Sequence, residues 1–225
     1  MPSAKFLPAV VKANRRHPQD RDLRTAHHGW FASHKDGSMI PTRGTLAAPF
    51  LELVHMQPAV RRVDPNPEPI QFWNGRDWDV YRAMYAVVRK GKAGTADRVV
   101  DVEVLTDLTL VRDKAKWKRI RQAYRQENRT LLIFTNHSIL AEPRLTNAMI
   151  VNTQAGSGLI PRADLEAVLK ATQGSLTFTL NEVVAKGVLS YGQAYGAVLN
   201  MVASGEFSFA TNRLFDGDTP MSRGR

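Results

Sequence analysis

The chain has 225 residues, with 31 lysines and arginines against 21 aspartates and glutamates, a formal net charge of +10 and an isoelectric point near 10.1. It contains no cysteine, which excludes a disulfide framework and any thiolate metal site. No run reaches the roughly 20 apolar residues of a membrane span, and the excess of positive charge points to a polyanionic partner, above all nucleic acid.

Residues 1–45 are polar and aperiodic, with eight basic side chains, Arg15 and Arg16 among them, against three acids. This composition predicts a loosely structured basic N-terminal arm. Its opening, MPSAKFLPAVVKANRRHP, puts an apolar patch before the basic residues. That order is wrong for a secretory signal, so a cytoplasmic bacterial protein is expected. Trp30 and Phe31 would pin the arm to the core or to a partner. His27, His28 and His34 have no cysteine beside them and are not read as a zinc site. His55 and His137 are expected on a helix surface and in a loop.

Leu46, Phe50, Leu53 and Val54 recur at helical spacing, with Pro49 tolerated in the first turn and Pro58 closing the segment. DPNPEP (64–69) is a rigid connector. IQFW (70–73) and WDVYRAMYAVV (78–88) flank Asn74-Gly75, a hairpin signal. A strand at 99–105, a helix at 111–127 and a strand at 129–135 follow without a hairpin turn, which implies a crossover and a parallel pair. The result is an α/β fold with a mixed sheet. NTQAGSGLI (152–160) is linker-like. Beyond it, helices at 162–171, 179–186 and 191–204 precede GEFSFATNRLF, a pattern that suggests a winged-helix-like module.

The strand VVDVEVLTD (99–107) carries the chemical question. Side chains alternate across a strand, so Asp101, Glu103 and Leu105 share one side and Val100, Val102 and Val104 the other. Two acids and a leucine opposite an all-valine face have the look of an active-site edge with one member missing.

The phrases TLAAPFLELV (45–54), QPAV (57–60), NPEPI (66–70), VYRAMYAVV (80–88), VEVL (102–105) and EPRLTNAMI (142–150) resemble the TnsA family, the endonuclease subunit of heteromeric bacterial transposons. The resemblance runs from about residue 29 over most of the chain. It implies a restriction-endonuclease-like domain, here 46–151, a mixed sheet with flanking helices, followed by a helical C-terminal domain, which falls on the winged-helix-like pattern at 160–225. It also implies that the catalytic letters are gone. The helix glutamate falls on Ala47, the strand aspartate on Met84 and the strand lysine on Leu105, and only Glu103 keeps its acidic type. Hard Mg²⁺ needs converging oxygen ligands, which alanine and methionine cannot supply. No catalytic residue, metal or other cofactor is therefore expected. A displaced set of Asp79, Asp101 and Glu103 is the one arrangement that would restore a metal-dependent endonuclease.

Residues 112–129 hold eight bases and two acids, a local net of +6. Trp117, Ile120 and Tyr124 form a narrow apolar stripe on this helix, and Lys114, Lys118, Arg121 and Arg125 a basic one at steps of four, three and four. Such a stripe can follow a phosphate backbone without reading bases. The helix at 190–204 has no basic residue, so the C-terminal module is expected to recruit protein at least as readily as DNA. The expectation is a catalytically inactive, nuclease-like binder of double-stranded DNA, associated with the nucleoid and with partner proteins, in transposition or mobile-element biology. A DNA-binding transcription regulator, or a protein-interaction adaptor on the same fold, is the alternative.

Overall fold

A computed structural model describes residues 28–91, 94–156 and 160–224. The elements in chain order are β1 (His28–Ala32), β2 (Met39–Arg43), α1 (Ala47–His55), β3 (Val60–Asp64), β4 (Ile70–Trp73), β5 (Trp78–Tyr81), β6 (Tyr85–Arg89) and β7 (Arg98–Leu105). Then come α2 (Asp107–Arg112), α3 (Lys114–Gln126), β8 (Leu131–Thr135), α4 (Asn136–Ile139), α5 (Arg144–Ala155) and α6 (Arg162–Ala171). The chain ends with β9 (Thr177–Phe178), α7 (Leu180–Ala185), α8 (Tyr191–Ser204), β10 (Phe207–Phe209) and β11 (Met221–Arg223).

The central sheet is mixed, in the order β3-β6-β7-β8, with the last pair parallel and the others antiparallel. The crossover through α2 and α3 that makes β8 parallel is the one expected from the sequence. Val100, Val102 and Val104 of β7 pack with Tyr85 and Val87 against Phe50, Leu51 and Val54 of α1. The opposite face lies under α3, whose Trp117, Ile120 and Tyr124 pack on Ile70 and Phe72 of β4 and Tyr81 of β5. The β7 strand is therefore covered on both sides, as a central strand with a parallel neighbour commonly is.

Several local expectations need revision. Residues 28–43 are not loose, because β1 and β2 form an antiparallel hairpin from His28↔Arg43 to Ala32↔Met39. The run 78–88 is not one strand. β5 pairs only with β4 in a separate ribbon, the chain turns through Arg82, Ala83 and Met84, and β6 joins the main sheet. The single helix expected over 111–127 is two, broken at Asp113, where Asp113 ends α2 and precedes α3. The linker-like stretch starts inside a helix, since α5 continues to Ala155.

Among the C-terminal elements, β11 lies between β10 and β9 in a three-stranded antiparallel sheet. The partner of β10 is thus a strand about ten residues past the one expected in GEFSFATNRLF. The α8 helix starts with a reciprocal Ser190–Gln193 capping box and stops at Gly205, whose φ of +90° suits a residue without Cβ. Leu145 and Ala148 of α5 enter the core beneath the valine face, while Val151 enters the core built around α8. One helix thus joins both halves. The side chain of Asn147, fully buried on α5, donates to the Arg213 carbonyl at 2.8 Å and accepts from the Phe215 N–H at 2.8 Å. No helix among the described residues is long and apolar enough to cross a membrane.

Candidate functional site

Asp101 and Glu103 share a face, as alternation requires, but that face is closed. Their exposures are 4% and 2%. Arg129, just beyond α3, stacks on Tyr124 and reaches Asp101 at 2.5 Å. The same guanidinium bonds the Glu68 carbonyl at 2.7 Å, so it ties the connector before β4 to the sheet. Glu103 accepts a hydrogen bond from the Tyr81 hydroxyl. Burial pushes the Glu103 carboxyl up to about 7, partly opposed by the Tyr81 bond and by the Val104 and Met84 backbone N–H groups. Burial, followed by the negative charge of Glu103, raises the Tyr81 phenol. Glu103 thus ties the turn at 82–84 to β7, a structural task.

The positions assigned by resemblance do not converge. Ala47 is fully buried at the start of α1, in the core beneath the valine face, and Met84 packs against that same core. Leu105 packs on the α3 side, beside Leu110, Leu131 and Ile133. Asp79 is exposed on the β4–β5 ribbon, and its carboxylate accepts the Val80 N–H at 2.8 Å. Among the described residues no three His, Asp or Glu side chains lie together in a way that could hold a metal ion. The Mg²⁺ site of an active nuclease does not fit these residues. Ala47 and Met84 offer no oxygen, and each buried acid is engaged by a donor of its own.

The cations of 112–129 sort into two groups. Arg112 pairs with Asp113 at 3.2 Å, Arg129 with Asp101, Arg119 donates to the Asn74 carbonyl in the β4–β5 turn, and Lys116 lies 5.8 Å over the Trp117 ring. A Cβ on Gly75, at a φ of +112°, would stand 2.7 Å from that Arg119 guanidinium, so the turn residue makes room for the tether. Lys114, Lys118, Arg121 and Arg125 are all exposed, and none has an ion-pair or hydrogen-bond partner among the described residues. At 3.6 residues per turn they lie roughly a quarter of a turn round from the Trp117–Ile120–Tyr124 edge. The stripe read from the sequence is a continuous row of unengaged cations. Arg15 and Arg16 fall outside the described residues.

Other features qualify the sequence reading. The α8 helix buries Ala194, Gly196–Leu199 and Met201–Ala203, which leaves only its ends exposed. Its middle has no free face to enter a groove. Trp73 and Trp78 form an exposed cross-strand pair, 6.0 Å between ring centroids, on the ribbon face turned away from α3. His55 is not on a helix surface. It is fully buried, its Nδ1–H donates to the Leu51 carbonyl at 2.9 Å, and its Nε2 accepts from the Ser33 hydroxyl at 3.0 Å. Burial pushes it down to about 4. His137 sits in the short α4 rather than in a loop. Trp30 is 68% exposed, whereas Phe31 packs against the core.

No protein-family model matches the chain, and no curated protein matches it in sequence.

Proposed function

We propose that the chain is a catalytically silent, nuclease-like protein that binds double-stranded DNA through the phosphate backbone and works with partner proteins, as in transposition or other mobile-element biology. The observation that carries this reading is the α3 row of Lys114, Lys118, Arg121 and Arg125, exposed and unengaged while neighbouring cations are used internally. Phosphate contacts position a protein on a duplex without carrying sequence information. The TnsA-like, restriction-endonuclease-like reading draws support from the order of elements. A helix precedes three antiparallel strands of the main sheet, and a crossover helix adds the parallel fourth. Closure of the Asp101–Glu103 face supports loss of cleavage.

The order α6-β9-α7-α8-β10-β11, with three antiparallel strands, supports a winged-helix-like C-terminal module. Enclosure of the middle of α8 favours a role for that module in protein contact over base reading, and this is the ground for the adaptor alternative. A transcription regulator would need another base-reading element. A displaced endonuclease would need Asp79, Asp101 and Glu103 to be free together. The expected location is the cytoplasm, on the nucleoid.

Fluorescence anisotropy with a random duplex over a salt series, with Mg²⁺ or Mn²⁺ present and the DNA examined afterwards on a gel, tests the proposal. Intact DNA and a steep loss of affinity with salt are expected. Cut DNA would restore the endonuclease reading, and intact, unbound DNA would leave the adaptor.

A further inference from the structure

A cleft of about 250 Å³ lies between the β1–β2 hairpin, α1 and α5, far from the α3 stripe in sequence, with Trp30, Phe31, His34, Glu52 and Asn152 on its walls. Its polar groups are one-sided. The Asn152 amide nitrogen gives both its protons to Glu52, to the carbonyl at 2.8 Å and to Oε2 at 2.6 Å. This fixes the amide orientation and leaves Asn152 Oδ1 buried without a partner, on a residue only 8% exposed. The His34 Nε2 is likewise buried and unpartnered. Thr153, also on the wall, spends its hydroxyl proton on the Met149 carbonyl at 2.7 Å.

The side-chain donors of Asn152 and Thr153 are thus consumed, while acceptors remain. Glu52 adds a half-buried negative charge with no cation in ion-pair range among the described residues, and burial raises its carboxyl above the usual range. Burial, followed by the positive charge of Lys35, also lowers His34, which favours the neutral ring. Two of the four buried unpartnered polar atoms found among the described residues belong to this one cleft. An unmatched buried acceptor costs free energy that a ligand donor would recover.

We propose that this cleft is a binding site for a guanidinium group carried on a short apolar stem. Glu52, Asn152 Oδ1 and His34 Nε2, in its acceptor form, receive the N–H groups, and the Trp30 and Phe31 rings flank the plane and stem. Guanidinium is planar, presents its donors in a fixed fork, is weakly hydrated and stacks on aromatic rings. An ammonium is more strongly hydrated and offers no plane to stack. A phosphate or carboxylate would face the Asn152 and His34 acceptors and the Glu52 charge. The guanidinium can come from an arginine side chain of a polypeptide or from a free small molecule. The site is independent of the DNA-binding reading.

The test is an NMR titration of the full chain, following the Trp30 indole N–H, identified by its loss in Trp30→Phe. The probes are Nα-acetyl-arginine amide, agmatine, and Nα-acetyl-citrulline amide as the neutral isostere. A saturable Trp30 shift with the arginine amide is expected, at least tenfold weaker with the citrulline amide and in Glu52→Gln, while the Trp73 and Trp78 signals stay still. Stronger binding of the arginine amide than of agmatine assigns the ligand to a polypeptide, and the reverse order assigns it to a small molecule. Trp30→Ala, at an exposed position, tests the aromatic wall without touching the core and should weaken binding severalfold. Absence of a saturable shift with either cation, equal binding of the citrulline amide, or a saturable shift with guanosine monophosphate in their place would overturn the proposal.

Discussion

The phenol of Tyr81 donates its proton to the carboxylate of Glu103, and neither group reaches solvent to any useful extent. The two residues sit on different sheets, Tyr81 on the β4–β5 ribbon and Glu103 on β7. Their bond joins the ribbon to the main sheet beneath α3. Replacing Tyr81 by Phe leaves one lone pair of a buried carboxylate unmet, which is expected to cost about 1–3 kcal/mol in urea denaturation. Glu103→Gln keeps an acceptor and should cost less.

Glu103 and His55 give the fold two opposing pH dependences. The Glu103 carboxyl is pushed up to about 7 in the folded chain, so between its unfolded value of about 4.3 and pH 7 the folded state holds the extra proton. Its contribution is complete at low pH and lost as pH rises through 7. His55 is pushed down to about 4, so between pH 4 and about 6.5 the unfolded state holds the extra proton. Its contribution is complete above 6.5 and lost as pH falls through 4. Over pH 4.5–6.5 these slopes oppose each other. Denaturation midpoints in that window are expected to rise with pH in Glu103→Gln and to fall with pH in His55→Gln.

The two groups of cations should separate experimentally. Four phosphate contacts from the α3 row give a slope of log K against log salt of roughly −3.6, and neutralising Lys118 alone should lower its magnitude by about 0.9. Reversal of Lys114, Lys118, Arg121 and Arg125 to Glu should abolish DNA binding with little change in thermal midpoint. Unchanged affinity in that variant would refute the role given to the helix. Arg119→Gln, at the Asn74 tether, is expected to show first in stability.

Arg129→Met strands Asp101, which is 4% exposed, without its only charged partner among the described residues. The expected loss is roughly 3 kcal/mol, because a buried carboxylate left unpaired costs more than the pair contributes. Asp101→Asn combined with Arg129→Met should lose clearly less than the sum of the two single changes, the signature of direct coupling in a double-mutant cycle of urea midpoints.

Much of the fold can be read from local pattern. The valine run of β7, the stripe on α3 and the apolar stretch of β8 were enough to infer the parallel crossover, and α6 and α8 have the bounds their periodicity implies. The missed strands lack such patterning. β3 buries Val60 and Val63, three residues apart, because its register with β6 shifts between Val60 and Arg62. An alternating rule cannot find that. The turn at 82–84 is concealed within a mostly apolar run interrupted only by Asp79 and Arg82, and is held by Glu103, some twenty residues later.

The candidate site divides the same way. Periodicity put Asp101 and Glu103 on one face and the four cations in one row. What it could not show is that α3 covers the acids while turning its basic edge outwards, since Tyr81, Arg129 and Asn74, which decide both, are distant in sequence. The Glu52 cleft has still less local signal. Its acceptors come from a hairpin and two helices a hundred residues apart.

The position of α5 also bears on what would happen if the chain were cut. A break between Gly156 and Ile160 would leave α5 on the first fragment with Val151 stripped of its α8 neighbours, and Asn147 without the Arg213 and Phe215 backbone. The second fragment would expose Ala197, Val198 and Met201 to water. Neither piece would be a finished body. Each half would lack a surface the other supplies, and movement of one relative to the other would require repacking both sides of a single helix.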